Sequence, residues 1–357
     1  MNSSDQINVF FLETELQCLA YRNIRAKLGE QTPYVLLATL TSVFDYLNDH
    51  GEETLFLDKD SHGWLGRFIR LRKNLRTVRL AIEAKSSAPK EIYYHTSRID
   101  GLFSNLMVGY LKYHFPKAQV HTRLIPDGAI NIFSTEISSR KVKKMEHWRR
   151  DWGIRLYPDM QITNIKGDEL GADVDEVDLI YCFEGVATHY PANKVQRVPL
   201  MAKTMDAVND SHVEPKALII GQNFLQLGTA NKIYVDAVSN TIKQYLQAQG
   251  IQHVDYVPHP RSTYKEFWDE SYRWVDNQEL CVEQLIASGQ YSHIISCYSS
   301  ALINSKIILG DQVDVLSVGL NAFPFRCQEQ RDQLSKAYAQ AGIQLIPLHA
   351  SDVGVSA

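Results

Sequence analysis

Short, continuously apolar segments alternate along this chain with longer segments whose apolar residues recur every three to four positions. The first half opens on an apolar segment at residues 8–12 and continues with a helical pattern from Thr14. The second half repeats the alternation, with an apolar segment at residues 217–220 and a helical pattern over residues 231–249. Continuous apolar strands separated by amphipathic helices are typical of parallel sheets covered on both faces. The pattern predicts an α/β fold with a doubly wound sheet in each half.

The other elements follow from the same pattern. Apolar spacing predicts one helix over residues 33–48, and the basic residues 67–79 predict a helix followed by a strand. Such a basic stretch is typical of a solvated face, or of attraction to an anionic surface or acceptor. Further strands are predicted at residues 54–57, 91–94, 119–124, 177–183, 254–257, 293–297, 313–317 and 344–347, and further helices at residues 99–115, 135–150, 282–288 and 328–341.

The length of 357 residues exceeds one ordinary hydrophobic core and predicts two domains. Residues 184–214 show little periodicity and include Pro191 and Pro199, which is typical of a boundary. We expect an N-terminal Rossmann-like domain at residues 1–190, a linker at 191–215 and a C-terminal Rossmann-like domain at 216–357.

Charge and cysteine content narrow the functional classes. A net charge of −4 with a pI near 6.3 argues against a non-specific nucleic-acid partner. The five cysteines are scattered without metal-ligand spacing, which favours reduced thiols over zinc or disulfides. The start has no signal-peptide pattern, and no run reaches the roughly 20 apolar residues of a membrane span. We expect a cytoplasmic protein, with peripheral contact to the inner membrane left open.

Polar residues punctuate four predicted strand ends. In open α/β sheets a ligand binds outside the carboxyl ends of the strands, so these residues are candidates for one site. One set lies in the first half and three sets lie in the second: Asp127-Gly128, Gly221-Gln222-Asn223, His259-Pro260 and Ser299-Ser300.

The residue types suit group transfer from a nucleotide, although each is also common in ordinary turns and caps. Ser299 and Ser300 precede a helical pattern, where hydroxyls either cap the helix or bind phosphate. His259 lies in a turn stiffened by two prolines and can donate to a leaving phosphate. Asp127 precedes a glycine, and a carboxylate there can act as a general base.

In this order the motifs resemble those of the bacterial CMP-sialic-acid-dependent sialyltransferases, which include the lipooligosaccharide sialyltransferases and the capsular polysialyltransferases. Those families carry an acidic-acidic-Gly motif, a His-Pro motif and a Ser-Ser/Thr motif. The Gly-Gln turn after residues 218–220 is similar to the opening of their donor domain, and Glu15-Leu16-Gln17 is similar to their Leu-Gln beginning. Pro126 stands where those families have the first acid, so Glu184, at another strand end, is a rival for the base.

The resemblance implies a GT-B fold, two Rossmann-like domains facing a central cleft, with the donor bound in the C-terminal domain. It implies a sialyltransferase that acts on a glycan precursor of lipopolysaccharide, lipooligosaccharide or capsule. Because CMP carries a single phosphate, which hydrogen-bond donors of the protein can hold, we expect an inverting reaction that needs neither a metal nor a cofactor. We expect catalytic roles for Asp127 and His259, and donor-binding roles for Gly221, Gln222, Asn223, His259, Pro260, Ser299 and Ser300. We expect acceptor-binding roles for Glu15, Gln17 and Gly128, and for Ser97 and Arg98 because they lie at a strand end in the acceptor half.

Three alternatives stay open at this point. The fold also suits a transferase that uses another CMP- or UDP-activated sugar. A nucleotide-sugar epimerase of GT-B type would convert its donor without any acceptor. A non-catalytic nucleotide- or glycan-binding protein would bind the donor without transfer, and Pro126 in the acidic motif is the sequence feature that favours it.

Overall fold

The computed structural model describes residues 5–29, 31–58, 63–128, 132, 135–201, 214–260, 262–275 and 281–349. The chain forms two compact units. The first comprises Met1–Asp127, Ser134–Phe183 and His189–Pro199, and the second comprises Gly128–Phe133, Glu184–Thr188 and Leu200–Ala357.

The first unit is built on a sheet of seven parallel strands in the order β3-β2-β1-β4-β5-β6-β7. Its strands are β1 (Gln6–Leu12), β2 (Tyr34–Ala38), β3 (Thr54–Phe56), β4 (Glu91–Thr96), β5 (Gln119–Leu124), β6 (Val177–Phe183) and β7 (Val195–Val198), and its helices are α1 (Glu15–Leu28), α2 (Thr41–Asp49), α3 (Gly63–Lys85), α4 (Leu102–His114), α5 (Ser139–Arg150) and α6 (Trp152–Arg155).

Burial on both faces explains the central strands of this sheet. In β1 the residues from Ile7 to Leu12 are all buried, because helices cover both sides of the sheet. The helix that follows begins where Thr14 Oγ1 accepts a hydrogen bond from the backbone N–H of Gln17 at 3.3 Å. It ends at Gly29, whose φ of 87° is unfavourable for other residues.

The second unit is built on a sheet of six parallel strands in the order β10-β9-β8-β11-β12-β13. Its strands are β8 (Lys216–Ile220), β9 (His253–Val257), β10 (Arg273–Trp274), β11 (His293–Ser296), β12 (Asp314–Val318) and β13 (Gln344–Ile346), and its helices are α7 (Phe224–Leu227), α8 (Lys232–Ala248), α9 (Val282–Ser288), α10 (Ser300–Leu309) and α11 (Gln328–Gln340).

Both sheets wind outward in two directions from a central strand. In the first sheet the direction reverses between β1 and β4, and in the second it reverses between β8 and β11. Such a switch point is where doubly wound sheets bind ligands, because the loops leave on opposite faces and open a crevice. The prediction of two Rossmann-like doubly wound sheets is confirmed.

Three predicted elements differ from the structure. Residues 33–48 form a strand, β2, and then α2 rather than one helix, because residues 34–38 fill the sheet position between β1 and β3. The basic stretch 67–79 belongs wholly to α3, with no strand in it. The helix predicted over residues 135–150 begins at Ser139, after Ser138 as its N-cap.

The predicted linker at residues 191–215 contains a structured part. Residues 195–198 form β7, which pairs with β6 at the edge of the first sheet. Within the predicted linker, residues 202–213 lie outside the described residues.

Candidate functional site

In the first unit the predicted residues follow three adjacent strands. Glu15 and Gln17 lie just after β1, Ser97 and Arg98 follow β4, and Asp127 lies three residues beyond the end of β5. Neighbouring strands are about 4.8 Å apart, so these loops leave the same edge of the sheet side by side. The edge includes the switch point between β1 and β4.

Gln17 and Asp127 are in direct contact. The Gln17 side chain is buried, and its Nε2 donates to Asp127 Oδ1 at 2.9 Å. Its Oε1 accepts from the backbone N–H of Glu13 at 2.7 Å. Because that N–H requires an oxygen opposite it, the amide can present only its NH₂ group to Asp127. The structure thus holds one carboxylate oxygen of Asp127 in a fixed position.

Arg98 lies in a network of charges beside Asp127. Its guanidinium donates two hydrogen bonds to the Asp100 carboxylate, the Nη2 bond at 2.6 Å. The bonds to Asp100, together with the charges of Asp100, Asp127 and Glu169, outweigh burial and raise the pKa of Arg98. Arg98 therefore carries a permanent positive charge, which the nearby Asp127 carboxylate helps to stabilise.

Lys141 of α5 closes this network. Its Nζ donates to Asp100 Oδ2 at 2.6 Å and to Glu169 Oε2 at 2.8 Å. Burial favours the neutral form of the Asp100 carboxyl, but the hydrogen bonds from Arg98 and Lys141 prevail and lower its pKa. Because Lys141 and Arg98 bind the same Asp100 carboxylate, Lys141 helps to hold the Arg98 guanidinium in position.

The other two acceptor-side candidates differ in accessibility. Ser97 is buried directly after β4, whereas Glu15 is partly exposed in the first turn of α1. Their acceptor-binding roles stay predictions.

A neutral histidine supports this edge from inside the sheet. His95, near the end of β4, is fully buried and its ring stacks on Phe10 with centroids 4.1 Å apart. Its Nε2 donates to Asn8 Oδ1 at 2.9 Å. Burial, assisted by the charge of Arg123, lowers the pKa of His95 well below its ordinary value.

The second unit repeats the arrangement on its own sheet. The candidates follow β9, β8 and β11, which are three neighbouring strands with β8 in the centre. His259 and Pro260 follow β9, residues 221–223 follow β8, and Ser299 and Ser300 follow β11. All seven predicted donor-binding residues therefore lie along one sheet edge, at the switch point between β8 and β11.

Gly221 and Gln222, directly after the central strand β8, contact residues of the two neighbouring strands. A Cβ on Gly221 would lie 2.5 Å from Tyr256 Oη, which donates to the backbone carbonyl of Glu266 at 2.8 Å. The absence of a side chain at Gly221 therefore makes room for that hydroxyl. Gln222 Nε2 donates to Ser296 Oγ at 2.9 Å, which ties the end of β8 to the end of β11.

Glu266 holds the turn that contains Asn223. Its buried carboxylate accepts from the backbone N–H groups of Phe224 at 3.0 Å and Leu225 at 2.7 Å. The next residue, Phe267, has a φ of 68°, a left-handed conformation that costs about 1–2 kcal/mol in a bulky residue. Burial of the Phe267 ring in the core offsets that cost. The Asn223 turn is thus fixed by a strained but well-packed segment.

Ser299 is the N-cap of α10, and Tyr338 fixes its backbone. Ser299 Oγ accepts from the N–H of Ala301 at 3.2 Å. The buried hydroxyl of Tyr338 accepts from the Ser299 N–H at 3.0 Å and donates to the Ser299 carbonyl at 2.8 Å. The N-terminus of α10 is a favourable place for an anion, because its N–H groups and helix dipole point there.

Gly128 adjoins the Ser-Ser motif within the second unit. Its φ is 69°, and a Cβ on it would lie 2.9 Å from Ser300 Oγ. Any larger residue would therefore be strained in its backbone and would crowd Ser300.

An aromatic group lies beside the Ser-Ser motif. The Tyr298 ring stacks on Phe323 with centroids 5.2 Å apart and meets the edge of Phe325 at 5.7 Å. These rings come from the loops after β11 and β12.

Several residues that shape the two edges were not predicted from the sequence. Glu266 is an acid within an aromatic stretch, which is a detectable but unspecific signal. Tyr338 lies 39 residues from Ser299 in an ordinary helical pattern, and no local signal marks it. The other unpredicted residues are Asp100, Lys141, Glu169 and Ser296.

Comparison with protein families places the second unit's motifs in a known context. Residues 181–317 match the model of the alpha-2,8-polysialyltransferase (POLYST) family. The match is less than half of the chain and includes the His-Pro and Ser-Ser motifs, but not Asp127. A search of curated proteins found no match.

Solved structures with a similar fold include a sialyltransferase and an epimerase. The alpha/beta-galactoside alpha-2,3-sialyltransferase of Photobacterium phosphoreum aligns over 97% of this chain and 99% of its own, with a TM-score of 0.57 and 11% identity. The UDP-GlcNAc 2-epimerase of Neisseria meningitidis aligns over 98% of this chain and 89% of its own, with a TM-score of 0.52 and 10% identity. At such identities the likeness establishes the fold alone.

These findings confirm the predicted resemblance to bacterial sialyltransferase families and the GT-B-type fold. The family match over residues 181–317 supports a glycosyltransferase of the sialyltransferase type.

Proposed function

We propose that the protein is an inverting, metal-independent glycosyltransferase that moves sialic acid from CMP-sialic acid to a hydroxyl of a cell-surface glycan precursor. The observation that carries the proposal is the placement of His259-Pro260, residues 221–223 and Ser299-Ser300 at three adjacent strand ends within the segment that matches the polysialyltransferase model.

The second unit is assigned to the donor. A CMP leaving group carries one phosphate, for which the N-terminus of α10 and the Ser300 hydroxyl offer hydrogen-bond donors. His259 donates a hydrogen bond or a proton to the phosphate oxygen as it departs. Gly221, Gln222 and Asn223 are assigned to the cytidine or the sugar. Because the phosphate is a single one, these donors are sufficient in our proposal without a divalent metal.

The first unit is assigned to the acceptor. The Asp127 carboxylate takes the proton of the acceptor hydroxyl, and that oxygen attacks the anomeric carbon of the sialic acid. The bond from this carbon to the phosphate oxygen breaks as the new bond forms, its electron pair leaves with CMP, and the anomeric configuration inverts. Gln17 acts here as a positioning residue, since its NH₂ group holds Asp127 Oδ1. Glu15, Ser97 and Arg98 of this unit, and Gly128 of the second unit, are assigned to the acceptor saccharide.

The test is to incubate the purified protein with CMP-sialic acid and EDTA, with and without a panel of galactosides and sialosides, and to follow CMP release. We expect acceptor-dependent release that EDTA does not reduce, and NMR of the first product should show inverted anomeric configuration. No release, together with no thermal shift by CMP, would contradict the proposal. CMP release that requires added Mg²⁺ would contradict only the proposed independence from metals and would leave the proposed transfer reaction in place.

A second candidate function is epimerisation of a nucleotide sugar, which the likeness to the Neisseria meningitidis epimerase fold brings into consideration. Its signature is conversion of UDP-GlcNAc in the absence of any acceptor. The family match over residues 181–317 favours the sialyltransferase, so we expect no conversion in that assay.

We further propose that the enzyme works on the cytoplasmic side of the inner membrane, where a lipid-linked lipopolysaccharide, lipooligosaccharide or capsule precursor is its acceptor. Among the residues that the structure describes, no helix combines the length and the apolar character needed to cross a bilayer. Fractionation of cells that express the tagged protein would test this location.

A further inference from the structure

Positive charge is concentrated on two helices of the first unit. Helix α3 carries seven Lys and Arg residues against one acid, and α5 carries six against one, in a chain whose net charge is −4. The remainder of the chain is therefore strongly acidic by comparison. Such asymmetry indicates a surface that meets an anionic partner.

Tyr157, which follows α6, packs against the first half of α3. The Tyr157 ring packs against Phe68 of α3 with centroids 5.4 Å apart, and the Arg72 guanidinium lies 3.5 Å from its centroid. Met145 and Trp148 of α5 belong to the same hydrophobic core as Phe68. The segment that follows α6, which includes Leu156, therefore lies beside the first half of α3.

The solvent-facing side of α3 is apolar as well as basic. Ile69, Lys73, Arg76 and Leu80 recur at helical spacing, and all four are exposed. The exposed fractions of Ile69 and Leu80 are 59% and 48%, and that of Leu156 nearby is 70%. The opposite side of the helix packs into the core through Leu75, Val78 and Ile82. The aliphatic side chains thus remain in water although the helix has a separate buried side.

We propose that this surface, formed by Ile69, Lys73, Arg76, Leu80 and Leu156 and called here the α3 face, docks on an anionic phospholipid bilayer. Aliphatic side chains flanked by cations are the composition of an interfacial helix, whose apolar groups enter the headgroup boundary while Lys and Arg meet the phosphates. An acidic polysaccharide would satisfy the cations but would leave Ile69, Leu80 and Leu156 in water. The exposed aliphatics therefore favour the lipid surface, and this inference does not depend on the proposed transfer reaction.

The experiment is co-sedimentation of the full-length protein with phosphatidylcholine vesicles, with and without about one-third phosphatidylglycerol. We expect binding to the anionic vesicles only, with a decline as salt is raised from 0.05 to 0.5 M, since screening weakens it. The Arg76→Glu variant should lose about tenfold or more in vesicle affinity, because it exchanges an attractive charge for a repulsive one. Its matched control is Lys336→Glu, which makes the same change of sign on the exposed side of α11 and should leave binding nearly unchanged.

The contribution of the aliphatic side chains of the α3 face is tested with a second variant and its own control variant. Ile69→Ser should weaken vesicle binding several-fold, whereas Ile233→Ser, on α8, should not, although Ile233 is 56% exposed and Ile69 is 59% exposed. Equal binding by Ile69→Ser and the unchanged protein, or equal loss from Arg76→Glu and Lys336→Glu, would overturn the proposal. A third outcome is that the protein binds polysialic acid but not vesicles, and that Arg76→Glu weakens this binding whereas Ile69→Ser does not. That outcome would assign the α3 face to an acidic glycan instead. Transfer to a soluble acceptor is measured separately, and all four variants should retain it.

Discussion

At the carboxyl edge of the first sheet, charged side chains bind one another, whereas at the corresponding edge of the second sheet most bonds run between neutral groups. Arg98 and Lys141 engage Asp100 and Glu169 in the first unit. In the second, Gln222 binds Ser296 and Tyr338 binds the backbone of Ser299, and even the buried Glu266 carboxylate binds backbone N–H groups. The two sheets share a winding order but differ in the chemistry that holds their loops.

The difference suits the two tasks in the proposed reaction. A group that takes a proton needs a fixed orientation and a defined electrostatic setting, which neighbouring charges and the Gln17 amide provide. A site that binds a phosphate can use the N–H groups of a helix N-terminus and nearby hydroxyls as donors. Substitutions at Asp127 and Gln17 in the first unit should therefore change kcat, and substitutions that disturb the phosphate-binding turns of the second unit, apart from His259, should change donor affinity.

The largest expected effect is that of Asp127→Asn. Removal of a general base lowers kcat by about 10²–10⁴-fold, while the affinity for CMP should change little because the second unit binds it. Single-turnover transfer and calorimetric titration with CMP measure the two quantities. If kcat were unchanged, Asp127 would have no part in the chemistry, and Glu184→Gln would be the next variant to measure.

The second prediction separates positioning from folding. Gln17→Met keeps the volume of the side chain but removes both of its hydrogen bonds, and we expect kcat to fall about 10- to 100-fold with donor KM nearly unchanged. Gln17→Glu is the informative partner, because its carboxylate still accepts from Glu13 but cannot donate to Asp127. Activity in Gln17→Glu equal to that of the unchanged enzyme would rule out the positioning role.

The third prediction concerns the second unit. Tyr338→Phe leaves the N–H and the carbonyl of Ser299 without their buried partner, at a cost of about 1–2 kcal/mol in unfolding free energy. We expect the Kd for CMP to rise about five- to tenfold with a smaller change in kcat, which is the reverse of the Gln17 result. Tyr245→Phe on α8, where the ring is partly exposed, is the control for loss of a hydroxyl. If Tyr338→Phe lowered kcat and left the Kd for CMP unchanged, the assignment of donor binding to the second unit would be contradicted.

The smallest expected effect is a pH dependence of stability in the first unit. Burial lowers the pKa of His95 below its ordinary 6.5, so the unfolded chain takes up this proton more readily than the folded one. Stability is therefore lost as the pH falls below about 6.5. His95→Gln removes the titrating group, so the free-energy gap between the unchanged protein and this variant should narrow by about 1–2 kcal/mol from pH 7.5 to pH 5. Chemical denaturation at several pH values measures the gap, and a gap constant with pH would contradict the assignment.

Local sequence patterns identified most of the elements and the polar strand ends. Continuous apolar runs such as residues 217–220 read as strands because a parallel strand is buried on both faces. Proline and glycine mark where such runs stop, so His259-Pro260 and Asp127-Gly128 were recognisable as strand-end groups from the sequence alone. The pattern was misleading at residues 33–48, where apolar spacing predicts one helix but a strand and a helix follow one another without a clear turn signal.

Such local patterns could not predict the contacts that shape the candidate site. Gln17 and Asp127 are 110 residues apart, and they meet because β1 and β5 both flank β4 in the sheet. The exposure of Ile69 likewise depended on which side of α3 packs into the core.

The sequence by itself determined the α/β class, the winding into two halves and the residue types available at each strand end. Only the tertiary structure decided which strand ends are neighbours, which amide orients the Asp127 carboxylate and which buried hydroxyl fixes Ser299. The physical reason is range: apolar periodicity and turn chemistry act over a few residues, whereas strand order and side-chain partners result from the packing of segments far apart in the chain.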